Sequence, residues 1–185
     1  LKWLALHQEA DGHWDPEKYG GKQVSVGVTG LALLAFLGAG HTEKVGAYKD
    51  NVKRAVSWLI SVQGKDGVLF KQGETHEIGY HHAIAGLALA EAAGMGRVPE
   101  TVKAAQKAIE YSTEIHQQGE GADKFGWRYA PKEKGDLSVS AWFIMQLKSA
   151  KVAGLKVNHA SFDGAIKFLD SVEERGRPAD VIGGN

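Results

Sequence analysis

A chain of 185 residues, 43% hydrophobic and 24% charged, is long enough to bury one core and reads as a single domain, 1–185. Lys plus Arg equals Asp plus Glu at 22 each, so no net field draws the chain to nucleic acid or to an anionic membrane surface, and neither is expected as a partner. The absence of cysteine excludes disulfides, thiolate nucleophiles and Cys-ligated zinc, and no run of about 20 apolar residues reads as a membrane span.

The chain opens with "WLALHQEADGHW", in which Trp3, Gln8, Gly12 and Trp14 stand at fixed spacing. From Val28 to Leu37 the residues are apolar or small on every side, which predicts a buried helix, capped by Ser25 and closed by Gly38 and Gly40. The next stretch is different in kind. Val52, Ala55, Val56, Leu59 and Val62 recur at helical spacing, while Lys49, Asp50, Lys53, Arg54 and Ser57 fill the other face, which predicts an amphipathic helix with one wet side. Ala83 to Ala93 is again apolar all round apart from Glu91, and closes at Gly94 and Gly96. Val98-Pro99 opens a further outer helix, Asp136 caps a third inner one at "LSVSAW", and Asn158 opens the last. β-branched alternation is scarce, so almost no sheet is expected.

These segments recur. Trp3-Leu4 with Gln8 and Gly12 returns as Trp58-Leu59 with Gln63 and Gly67 at an offset of 55, and Phe168-Leu169 follows the second pair by 110. Tyr111-Ser112 with His116-Gln117 takes the place between them, its glycine-aromatic end delayed to Gly126-Trp127, so the third copy is the divergent one. The inner segments agree independently: "VTGLALLAFLGAG" matches "IAGLALAEAAGMG" at an offset of 56, and "VSAWFIMQLKSA" follows at 55. Outer helix, turn and inner helix at about 55 residues predict an all-α array of hairpins, about three and a half of them, each burying its apolar face against its neighbours. The glutamines are expected to bond free carbonyls at the ends of outer helices or the N-terminus of a neighbouring helix. The glycines are expected to make the turns that return Trp14 and Leu69 to pack.

At these residues the chain resembles the QW repeat of squalene and oxidosqualene cyclases: "RAVSWLISVQGKDGVL" matches that pattern except at Leu69, which stands where Trp belongs, and "AIKFLDSVEERG" is a weaker copy with Glu173 in the Gln place. The resemblance implies the α/α toroid of the cyclase and protein-prenyltransferase superfamily, here as a partial ring of inner and outer helices. The chain starts at Leu1 partway into the first copy and is expected to be a piece of a longer protein. The cyclases' Asp-x-Asp-Asp acid motif is absent, and a chain without cysteine cannot build the Asp, Cys and His zinc site of the prenyltransferases, so neither catalytic inheritance is supported.

Two clusters are left as candidate ligand-binding residues. "HEIGYHHA" gathers His76, Glu77, Tyr80, His81 and His82 at the entry to the second inner helix, with spacing that fits no standard zinc motif. His81 falls in the slot of Ser25 and Asp136, whereas His82 falls in the apolar slot of Val26 and Leu137 and is the more anomalous. "FGWRYAPKEKGD" supplies Trp127, Arg128 and Tyr129 as a stacking or cation-π surface, with Asp136 at its end and Trp142 beyond it. Packing and capping are the competing roles for both clusters. The expectation is a scaffold or a ligand- or protein-binding module with no catalytic residue, metal or cofactor of its own. Its partners are expected to be the rest of a parent chain, a second copy joined through open repeat ends, or an apolar small molecule. The alternatives are part of a terpene cyclase or prenyltransferase-like enzyme whose acid motif lies elsewhere, with Trp127, Tyr129 and Trp142 lining an apolar pocket. A third is an α/α-barrel carbohydrate-active enzyme using Glu77 or Asp136.

Overall fold

The computed structural model describes residues 1–73 and 77–173; His76, one of the candidate ligand residues, lies outside them. Seven α-helices form among the described residues: α1 (Lys2–Leu6), α2 (Ser25–Gly38), α3 (Lys49–Ser61), α4 (Ile78–Gly96), α5 (Pro99–Glu110), α6 (Leu137–Val152) and α7 (His159–Val172). The protein is all-α there, and its one β-like pairing is the isolated bridge between Gln63 and Leu69. No described helix is long and apolar enough to cross a membrane.

The two helix types differ as their patterns require. In α3 the buried side is Val52, Ala55, Val56, Trp58 and Leu59, with Lys49, Asp50, Lys53, Arg54 and Ser57 exposed, so one stripe packs and the other is solvated. α5 repeats this with Thr101, Ala104, Ala105, Ala108 and Ile109 buried, and starts with Pro99 at the first position, where a missing N–H costs nothing. By contrast α4 is buried almost throughout from Gly79 to Ala93, and its packings on α6, α2 and α5 are the most extensive in the fold. Small residues permit this crowding: a side chain at Gly30 would fall on the Ala85 backbone, and one at Gly86 on the Gln146 amide.

The expected caps are met in part. Asp136 accepts from Val139 N–H at 3.0 Å and Asn158 from Ala160 N–H at 3.1 Å. Ser25 does not cap α2. Val24 holds the position before the helix, and Ser25 is already inside it and buried.

Three glutamines tie loops to outer helices in the same manner. Gln8 Nε2 donates to Gly12 O at 2.8 Å and Asn51 O at 2.9 Å; Gln63 Nε2 donates to Gly67 O at 3.2 Å and Ala104 O at 3.0 Å; Gln117 Nε2 donates to Phe125 O at 2.7 Å and Ser161 O at 3.0 Å. Each amide thus closes its own loop with one hydrogen and holds the next outer helix with the other. At this seam two backbones touch, and one of them must be glycine. Gly12 and Gly67, at φ 108° and 97°, lie against the carbonyls of Arg54 and Lys107. In the divergent third layer the roles exchange: the loop presents Lys124, and the helix supplies Gly164. The buried Lys124 ammonium donates to Thr113 O within the π-helical turn Tyr111–His116 that continues α5, and lies 3.4 Å from Glu114.

The repeat aromatics are covered unequally. Trp58 is buried under His13, whose ring stacks on it at 4.9 Å, and Phe168 is buried under Phe125 at 5.5 Å. Trp3 is 54% exposed and stacks on His7 at 4.1 Å. Trp14 is buried against Phe36 and its indole donates to Leu4 O at 2.8 Å.

Candidate functional site

The long loop before α6 places the second candidate cluster. Gly79 N–H donates to Tyr129 O at 2.8 Å, and Asp136 N–H to Trp127 O at 2.8 Å, so the loop is fastened to the start of α4 and of α6. Tyr80 and Tyr129 are thereby brought together, their ring centres 5.8 Å apart, with Arg128 over the Tyr129 ring at 5.3 Å. Tyr80 Oη lies 2.6 Å from Ser138 Oγ, and Ser138 donates to Asp136 Oδ1 at 2.6 Å, which leaves the tyrosine as donor to the serine. The Ser138 hydroxyl and the Val139 N–H hold the Asp136 carboxyl below its ordinary value, so it is an acceptor at neutral pH and not a source of protons. Glu77 precedes α4, exposed and making no cap bond, and His81 is buried 6.1 Å from the Phe70 ring with burial lowering its pKa. Trp142 is half-buried on α6 against the same apolar cluster as Tyr80 and Tyr129.

His82 and Trp127 lie beneath this rim. Both are fully buried. Trp127 stacks on Phe143 at 5.3 Å and 7°, its N–H donates to Ser112 O at 2.9 Å, and its backbone N–H donates to Ser140 Oγ at 2.9 Å. His82 Nδ1 accepts from Leu69 N–H at 3.0 Å, so its proton sits on Nε2, which faces Ser112 Oγ at 2.8 Å and Ala108 O at 3.1 Å. Ser112 in turn donates toward Gln146 Oε1 at 2.8 Å. Burial, assisted by the nearby His116, pushes His82 down to about 3. His116 donates from Nε2 to Arg128 O at 2.8 Å, and burial pushes it to about 4. Both imidazoles are neutral structural links at physiological pH.

The anomaly of His82 has a local cause. Trp14 and Trp127 give their backbone N–H to the hydroxyls of Thr29 and Ser140, which are separated from Ala85 by the inner segments' offsets of 56 and 55. Ala85 has no acceptor to offer Leu69, and His82, one turn earlier on α4, supplies it.

A groove that the sequence clusters do not include lies elsewhere. It has a volume of about 690 Å³ and runs over the C-terminal halves of α2, α4 and α6, lined by Leu34 and Leu37 of α2, Leu87, Glu91 and Met95 of α4, Ile144, Met145, Lys148, Ser149 and Lys151 of α6, and Phe162 of α7. Of its lining the sequence marked only Glu91, the single charge in the segment Ala83 to Ala93. No group of three His, Cys, Asp or Glu side chains among the described residues is placed to hold a metal. Compared with protein-family models, with characterised proteins and with solved structures, the chain matches none.

Proposed function

We propose that this chain is a segment of an α/α toroid of the squalene-cyclase and prenyltransferase type, serving as a scaffold with a ligand-binding groove and carrying no catalytic constellation of its own. The observation that carries the binding role is the largely apolar groove over α2, α4, α6 and α7, whose volume is that of a small-molecule site and whose lining comes from four helices at once. The same pair of hydrogen bonds made by each of Gln8, Gln63 and Gln117 supports the repeat array. Contact with the rest of a parent chain or with a second copy belongs at α1 and α7, where Trp3, Ile166 and Val172 are exposed.

The test is a thermal-shift series with squalene-like polyprenoids and oligosaccharides on the wild-type chain and on Met145→Asp and Tyr80→Ala. A ligand at a hundred times its dissociation constant stabilises by about 2.7 kcal/mol, roughly 5–10 °C for a chain of this size. A polyprenoid shift abolished by Met145→Asp, at a half-exposed position that tolerates the change, supports the groove. A shift with oligosaccharide alone, abolished by Tyr80→Ala, moves the site to the aromatic rim, and no shift with any apolar probe refutes ligand binding at the groove.

A further inference from the structure

Among the described residues that line the groove Glu91 is the one acid, and the rest of the wall is apolar apart from Ser149, Lys148 and Lys151. Leu87, Glu91 and Met95 follow one another on one stripe of α4, so the carboxylate stands on the central helix between two apolar side chains. Glu91 is half-buried, and one of its oxygens accepts a hydrogen bond from the Ser149 hydroxyl of α6. Its other oxygen has no protein partner among the described residues, and no lysine or arginine there pairs with it. Lys148 and Lys151 also border the groove, but both are exposed, and the Lys151 ammonium lies over the Phe162 ring at 5.5 Å.

The two signs of charge are therefore unequal. An exposed ammonium is already solvated, and a salt bridge made to it from water gains little. A half-buried carboxylate among apolar groups has lost part of its hydration and gains more from a cation delivered in a low-dielectric setting. We propose that the groove takes an amphiphile with a cationic amine head, the ammonium paired with Glu91 and the alkyl portion laid along Leu34, Leu87 and Met145. This rests on the groove being a ligand site, and it names the class of ligand that the site prefers.

Three probes of equal chain length separate the possibilities: dodecylamine, dodecan-1-ol and dodecanoate, each titrated below its micelle-forming concentration by calorimetry into the wild-type chain, Glu91→Gln and Lys148→Met. The amine is expected to bind about tenfold more tightly than the alcohol, as a charge-assisted hydrogen bond provides. Glu91→Gln keeps an acceptor for Ser149 and so keeps the fold, and it is expected to erase the amine's advantage while leaving the alcohol unchanged. Lys148→Met is expected to leave amine affinity the same or tighter. Equal affinity for amine and alcohol overturns the assignment of Glu91 while the groove stands as an apolar site. Tighter binding of dodecanoate, lost in Lys148→Met, overturns it in favour of an anion held by the lysines. No binding of any probe overturns both the assignment and the groove.

Discussion

Replacing His82 by glutamine tests the neutral buried imidazole directly. In the folded chain burial in a dry core, assisted by His116, pushes His82 down to about 3, against 6.5 for a free histidine. The unfolded chain therefore binds more protons between these values, and stability falls as the pH drops through that window and is fully present above it. Between pH 7 and pH 5 the unfolded imidazole becomes almost fully charged while the folded one does not, which costs about 2 kcal/mol of stability from this residue alone. His116, pushed to about 4, adds a similar loss by the same mechanism, and the variant retains it. Urea unfolding at the two pH values should thus show wild type losing about 2 kcal/mol more than His82→Gln. Any constant penalty from imperfect packing of the glutamine cancels in this difference. Equal losses in the two chains would refute the assignment of His82 as a neutral structural link.

Other positions give further tests. Gly164→Ala lies in a helix, where alanine ordinarily gains about 1 kcal/mol over glycine, but here the methyl meets the Lys124 carbonyl, so the chemical denaturation midpoint should fall instead of rise. Gly67→Ala should lose about 2 kcal/mol or more in the same assay, because a left-handed backbone and the Lys107 carbonyl both exclude a side chain. Asp136→Ala should cost about 1 kcal/mol through its lost cap, and Asp136→Asn should recover most of it in urea titrations. Trp127→Phe keeps the stack on Phe143 and removes the indole donor to Ser112 O, which retains the bond from Gln117 N–H, so the lost hydrogen bond should cost about 1 kcal/mol read from the same curves.

The sequence by itself determined that the chain is helical, where the wet and dry faces of its helices lie, and that Gly12 and Gly67 make turns, whereas Ser25 does not cap α2 and α4 runs through Gly94 and Gly96 to end on Arg97. These properties depend on side-chain spacing within ten or fifteen residues, which is why α3 emerged with Val52, Val56 and Leu59 inside and Lys53 and Arg54 outside. It also identified His82 as out of place, but placed it with Tyr80 at a rim. Only the tertiary structure decided that Leu69 N–H needs an acceptor that Ala85 lacks, because that need arises between residues on different elements. The same holds for the exchange of glycine between loop and helix at Gly164, and for the burial of Trp127 where a surface platform was the alternative. The groove was out of reach for a further reason: its volume is the space left between α2, α4, α6 and α7, and no spacing along one segment encodes the distance between helices. Glu91 was visible as a lone charge on a dry helix, and only packing showed that Ser149 shares its carboxylate and that Leu34, Leu87, Met95 and Met145 line the same groove.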